Sequence, residues 1–274
     1  MQQRVFLPRP VRETASAFRL VLLLALYALP GVVQAEWKVT SSERESSPND
    51  MVEHWTTSVE DASSGARATL HLAVFDPRKV NLQVIDQPSA PRRDLAGVME
   101  KNQALAGVNG GYFDPEDAPL GLLVSEGRTI SPLRKAKLLT GVLTATATRV
   151  DIVRASRFAM SIKIKAARQC GPLLVERSAP IAGLNATRPA RRTFAAVDGS
   201  GRAALGVSSA LSLAQLGQVL SLTNPAGKMK IVRALNLDGG SSSAFWFARE
   251  EGAFSFRELK TVRDFIALLP PPTR

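Results

Sequence analysis

Ile231-Val232-Arg233-Ala234-Leu235-Asn236-Leu237 runs straight into Asp238-Gly239-Gly240-Ser241-Ser242-Ser243, and this junction decides the fold. The first seven residues are a short, mostly apolar run of the length of a buried strand rather than of a helix. The six that follow are a polar turn in which a glycine pair lets backbone amides approach a ligand closely. Consecutive amides in such a turn make a concavity suited to phosphate oxygens, and serine hydroxyls add donors without a competing charge. A lone Asp-Gly is more often a tight turn and nothing else. Here the pattern occurs twice, because the apolar run Ala104 to Val108 ends in Asn109-Gly110-Gly111-Tyr112-Phe113-Asp114.

Outward from these junctions the chain reads mainly as strands. Period-two alternation at Leu70, Leu72 and Val74, and again at Val80, Leu82 and Val84, with Asp76-Pro77 between, predicts neighbouring antiparallel strands. Further strands are expected at residues 120–125, 142–153, 162–165 and 173–176, and residues 194–197 should pair with 203–207 across Asp198-Gly199. Helices are few. Asp94 is an N-cap candidate for a short helix carrying Leu95, Val98 and Met99. Ser212-Leu213-Ala214-Gln215 has the form of a capping box, with Leu216 and Leu220 following at helical spacing. The expected class is α+β, a mostly antiparallel mixed sheet with a few flanking helices in a single domain. The polar residues 36–51 read as a lead-in segment and residues 52–274 as the domain.

At the N-terminus, Arg4, Arg9, Arg12 and Arg19 precede the apolar run Leu20 to Leu29, and Val33 and Ala35 suit a cleavage site before Glu36. That order is a signal-peptide pattern, and the run is too short for a comfortable membrane span of about 20 residues. The mature chain is therefore expected to be exported, periplasmic or secreted, with no transmembrane span.

The chain carries 35 Lys and Arg against 24 Asp and Glu, a basic balance that draws acidic partners. Three Trp and two Tyr make no aromatic ladder among these cations, so nucleic-acid binding is not expected. The single cysteine, Cys170, excludes an intramolecular disulfide, and two histidines, His54 and His71, leave too few ligands for a zinc site of the usual kind. No G-x-S-x-G elbow supports a serine triad. His71 lies in an alternating strand and reads as a packed residue, and Cys170 reads as a small buried hydrophobe rather than a nucleophile. No cofactor is implied, and a divalent cation on Asp238 and Asn109 oxygens has no support from calcium-loop spacing.

Two further elements, Gln169-Cys170-Gly171-Pro172-Leu173-Leu174-Val175 and Arg191-Arg192-Thr193-Phe194-Ala195-Ala196-Val197-Asp198, complete an ordered series. N-G-G-Y-F-D, P-L-G-L-L-V-S-E-G-R, Q-C-G-P-L-L-V, R-R-T-F-A-A-V-D and A-L-N-L-D-G-G-S-S-S occur in that order between about Leu70 and Phe265. In this the chain resembles the phosphodiester glycosidase family, which includes the uncovering enzyme of the mannose-phosphate lysosomal pathway and many exported bacterial proteins. The resemblance matches Asn109, Gly110 and Gly111 to the family's asparagine and glycine turn, and Gln169, Gly171 and Pro172 to its Q-x-G-P. Arg192 and Thr193 match its R-T, and Asp238, Gly239, Gly240 and Ser242 its D-G-G-x-S. Cys170 stands where a small residue such as Ala is usual, and Ser241 where a further Gly is common.

The resemblance implies hydrolysis of the sugar-phosphate bond of a sugar-1-phosphodiester, in cell-envelope glycan or glycolipid metabolism. A phosphomonoester is a good leaving group, so charge stabilisation matters more than a strong acid. The expected catalytic residues are Asp238, orienting water or stabilising the oxocarbenium-like centre; Arg192, whose planar fork matches phosphate oxygens; and Asn109, holding sugar hydroxyls. Gly110, Gly111, Gln169, Gly171, Thr193, Gly239, Gly240, Ser241 and Ser242 are expected to line the substrate site, with Asp114 and Asp198 as reserve carboxylates. The same turns and basic surface would also suit a non-catalytic module that binds anionic envelope glycan. A serine nucleophile at Ser241, Ser242 or Ser243 lacks both elbow and base.

Overall fold

A computed structural model describes residues 36–222 and 225–271; the expected signal peptide, residues 1–35, lies outside the described residues. In chain order, β1 (Trp37–Ser46), β2 (Val52–Asp61), β3 (Arg67–Phe75) and β4 (Asn81–Asp86) precede α1 (Leu95–Lys101). Then come β5 (Ala106–Asn109), β6 (Leu123–Ser125), β7 (Arg128–Ser131), β8 (Gly141–Ala145), β9 (Val150–Arg154) and β10 (Ala166–Cys170). β11 (Leu173–Glu176), β12 (Ala179–Pro180), β13 (Ala190–Asp198) and β14 (Ala203–Leu211) lead to α2 (Leu213–Leu220). β15 (Ile231–Asn236), β16 (Phe245–Ala248), β17 (Ala253–Phe256) and β18 (Asp264–Leu269) complete the chain.

The strands form an eight-stranded sheet, β1-β2-β3-β14-β13-β15-β11-β12, and two five-stranded sheets, β7-β6-β10-β8-β9 and β17-β16-β5-β18-β4. Every strand pairing among the described residues is antiparallel. Two helices of 7 and 8 residues stand against this, so the class is mostly β rather than the more balanced α+β expected. Both helices start as the sequence predicts. Asp94 Oδ1 accepts from Gly97 N at 2.9 Å, and Ser212 and Gln215 make both bonds of the capping box.

Layering explains the sequence pattern. α2 lays Leu216, Val219 and Leu220 on one face of the large sheet, against Leu70, Leu72 and Phe194. The other face, with Ala195, Leu205 and Val207, packs on both small sheets through Leu123, Leu143, Val108 and Phe245. α1 covers the far side of the β5 sheet, its Leu95, Val98 and Met99 meeting Trp246 and Phe265. β13 and β15 thus have core on both faces, which is why they read as continuous apolar runs rather than alternating ones. Each large side chain so buried contributes roughly 1.5 to 3 kcal/mol.

Three expectations are corrected. β3 and β4 are not partners: β3 lies between β2 and β14, whereas β4 is the edge of another sheet, beside β18. Asp76-Pro77 carries the chain between sheets, because alternation reports a half-buried strand and not which strand it joins. The polar lead-in is largely β1, paired along its length with β2 and anchored by buried Trp37. An edge strand needs little apolar surface, and its charges discourage pairing with other chains. Finally, residues 142–153 are the β8–β9 hairpin, and residues 162–165 lead into β10 without forming a strand.

Candidate active site

Four chain segments meet at one end of the interface between the large sheet and the β5 sheet. β5 ends at Asn109, whose buried Oδ1 accepts from Thr193 Oγ1 at 2.7 Å and from Ala244 N at 3.0 Å. Its Nδ2 donates to the main-chain oxygen of Asp238 at 2.7 Å. Asp238 N in turn donates to Gly110 O at 3.1 Å, and Leu237 N to Thr193 O at 2.8 Å. Both acceptor positions of Asn109 are therefore used inside the protein. It is placed as a crossbar between turns.

Beneath this crossbar lies an ion pair that sequence reading missed. Arg168 Nε donates to Asp264 Oδ1 at 3.1 Å, with both side chains fully buried. Arg168 also donates to Tyr112 O at 2.6 Å and Leu120 O at 3.0 Å. A Cβ on Gly110 would overlap the Asp264 carboxylate, and one on Gly111 the Arg168 guanidinium. The glycines of the N-G-G turn are required by this close packing. The only local signals were a charge inside the apolar strand Ala166–Cys170 and another just before the apolar run that starts at Phe265.

Above the crossbar, Asp238 is half-buried and accepts from Gly239 N at 3.0 Å. Burial pushes its carboxyl above the ordinary range, the charge of Asp264 adding to this, while the Ser242 hydroxyl, the Gly239 N–H and the Lys260 charge oppose it. The turn continues through Gly240, whose φ of 65° lies in the left-handed region that favours glycine and where a Cβ would meet open space. Ser241 is exposed and Ser242 buried.

Arg192 is tethered by two backbone bonds, Nε to Leu211 O at 2.9 Å and Nη2 to Arg188 O at 2.6 Å. Its Nη1 would lie 3.8 Å from a Cβ on Gly239, so the guanidinium stands alongside the D-G-G turn. Burial lowers its pKa, with Tyr112 opposing. Asn236 and Tyr112 close the other side. Tyr112 Oη donates to Gly171 O at 2.6 Å, and Asn236 Nδ2 donates to Tyr112 Oη and Gly171 O, both at 3.0 Å. Burial raises the Tyr112 pKa.

Other expected site residues sit elsewhere in the arrangement. Gln169 is buried with all four hydrogen-bonding positions taken: Oε1 by Leu122 N and Arg134 N, Nε2 by Arg134 O and Leu139 O. It anchors the loop 132–139. Cys170 is buried and its thiol pushed up to about 12 by burial, which keeps it protonated. Asp114 accepts from Ala118 N within its own turn. Asp198 is at the opposite end of β13 from Arg192, beside a cleft of about 530 Å³ whose Asp151 and Asp198 are paired with arginines. His71 packs in β3 against His54 and Phe254.

Three buried polar atoms in this constellation, Asn236 Oδ1, Ser243 Oγ and Asp264 Oδ2, have no hydrogen-bond partner. Such atoms are costly in a fold. The phosphodiester glycosidase family pattern matches residues 102–267, over half of the chain. The chain belongs to the phosphodiester glycosidase family. Solved structures with the same fold include a hypothetical protein from Synechocystis, 15% identical, covering 86% of this chain and 68% of that one with a TM-score of 0.61. The zebrafish N-acetylglucosamine-1-phosphodiester alpha-N-acetylglucosaminidase catalytic domain, auto-inhibited by its pro-peptide, is 12% identical, with 86% and 83% covered and a TM-score of 0.57. A Burkholderia pseudomallei protein provisionally described as exported is 14% identical, with 76% and 75% covered and a TM-score of 0.52. No curated protein sequence gives a significant match. Among the described residues no helix is long and apolar enough to cross a membrane, and no group of three His, Cys, Asp or Glu side chains is gathered to hold a metal ion.

Proposed function

We propose that the chain is an exported hydrolase that cleaves the bond between the anomeric carbon and the phosphate oxygen of a sugar-1-phosphodiester in cell-envelope glycan or glycolipid metabolism. The observation that carries this reading is Asp238, a carboxyl with a raised pKa at the head of the Gly239 to Ser242 turn, a turn that the Arg192 guanidinium stands alongside at Gly239. Arg192 and the turn hold the phosphate and neutralise charge as it grows on the leaving oxygen. Water attacks the anomeric carbon, the phosphomonoester departs with the bonding electrons, and Asp238 takes the water proton. A carboxylate with a raised pKa is the stronger base for that step. Asn109, Thr193 and the Arg168–Asp264 pair act through the turns they hold.

The test is a panel of sugar-1-phosphodiesters offered to purified residues 36–274, with release of free sugar as the readout. Turnover that disappears in Asp238→Asn supports the reading. Tight binding of anionic glycan without turnover of any panel member would replace it with a non-catalytic envelope module. Export is tested by N-terminal sequencing of protein from the envelope fraction, which should begin at Glu36; full-length chain in the cytoplasm would overturn it.

A further inference from the structure

Positive charge and exposed apolar surface coincide in one stretch of the chain. Between Glu126 and Glu176 the sequence holds ten Lys and Arg and a single acid, Asp151, which is paired with Arg149 and Arg233; of the ten, Arg168 is buried on Asp264 and Arg154 is paired with Glu176. Five of the six exposed large hydrophobic residues among those described fall in the same stretch: Ile130, Leu133, Leu138, Met160 and Ile162, the last 95% exposed. They lie on two segments that also expose Arg134, Lys135, Lys137, Arg157 and Lys163. The segments meet along a cleft of about 470 Å³ lined by Leu133, Arg134, Leu139, Arg154 and Phe158.

We propose that this face docks on the surface of an anionic lipid bilayer, the apolar side chains entering the headgroup region and the cations pairing with lipid phosphates. Single exposed apolar residues need no explanation, but five of them on two neighbouring segments do. Cations alone would suit any polyanion, and apolar groups alone would suit a protein. Their combination, with no acid lining the cleft, matches an interface that is negative outside and apolar within. Each cation near such a surface contributes roughly fivefold in affinity. The loop 132–139 is held rigidly by Gln169 and abuts Gly171, where a Cβ would overlap Leu138 O. Docking therefore sets the bilayer beside the candidate site, but the surface stands whether or not that site is catalytic.

Residues 36–274 contain the whole described core and lack the apolar N-terminal run, so they suit co-sedimentation with vesicles. They should bind phosphatidylglycerol–phosphatidylcholine vesicles and not phosphatidylcholine alone, the more weakly as salt rises. Lys135→Glu with Lys137→Glu should lower affinity more than tenfold. Leu138→Ser with Ile162→Ser should lower it several-fold, with circular dichroism unchanged in both. Failure to bind the anionic vesicles, or equal binding by wild type and both double variants, would overturn the proposal. So would binding to soluble polyphosphate as tight as to vesicles with the serine variant unaffected, since that is a surface for charge alone.

Discussion

Asn109 Nδ2 donates to the main-chain oxygen of Asp238 at 2.7 Å, joining two strand ends 129 residues apart. The same amide accepts from Thr193 and Ala244, so Asn109→Ala strands three buried partners. An unsatisfied buried group costs about 1 to 3 kcal/mol. The variant should unfold at markedly lower denaturant as well as lose turnover. Wild-type stability in Asn109→Ala would leave the crossbar role without support.

Asp238→Asn should reduce turnover by orders of magnitude with substrate affinity nearly unchanged, because the charge matters mainly as the transition state develops. Its pKa is raised, so the wild-type rate should climb with pH through a value above the ordinary carboxylate range. Stability runs the other way. A folded pKa above the unfolded one contributes stability that is complete below the unfolded value and lost as pH rises through the folded value. Asp238→Asn should therefore melt higher than wild type at neutral pH while being inactive. Full activity in the folded variant would remove Asp238 from the mechanism.

Arg192→Lys keeps a charge but loses the guanidinium that bonds Leu211 O and Arg188 O together. A lysine cannot hold both oxygens and face the turn. KM should rise and kcat fall in steady-state kinetics; an unchanged KM would show that Arg192 does not meet the substrate.

Removing one partner of the buried Arg168–Asp264 pair leaves the other charge uncompensated, at a cost of about 3 to 5 kcal/mol. Asp264→Asn and Arg168→Met should each be strongly destabilised in urea, and Gly110→Ala should resemble them because its Cβ displaces the Asp264 carboxylate. A Gly110→Ala protein as stable as wild type would mean the turn is not packed on the pair.

With its thiol pushed up to about 12, Cys170 should resist disulfide-exchange reagents at neutral pH in the native protein and react fully once unfolded. Cys170→Ala should keep its turnover. Rapid native labelling, or an inactive but folded Cys170→Ala, would contradict the buried, inert role.

Whatever depends on neighbours in the chain was legible in the sequence by itself. The Asp94 and Ser212 caps, the apolar runs of β5 and β15 and the glycine turns that end them are local choices of backbone and burial. The ordered motifs were enough to place the family. Partnership was not legible. Period-two alternation marks Leu70 and Leu82 as half-buried without saying that β3 and β4 belong to different sheets, and the polar run of β1 conceals a strand because an edge needs little apolar surface. Gln169 belongs to a motif expected to line the site, yet its four bonds all go to backbone groups between Leu122 and Leu139. Gly110 and Gly111 suit the close approach of a ligand, and the tertiary structure shows that they make room for Asp264 and Arg168, which lie 96 residues apart. Hydrogen bonds and ion pairs between such distant residues depend on which strand ends the three sheets bring together, and that is settled by packing the whole chain rather than by any window along it.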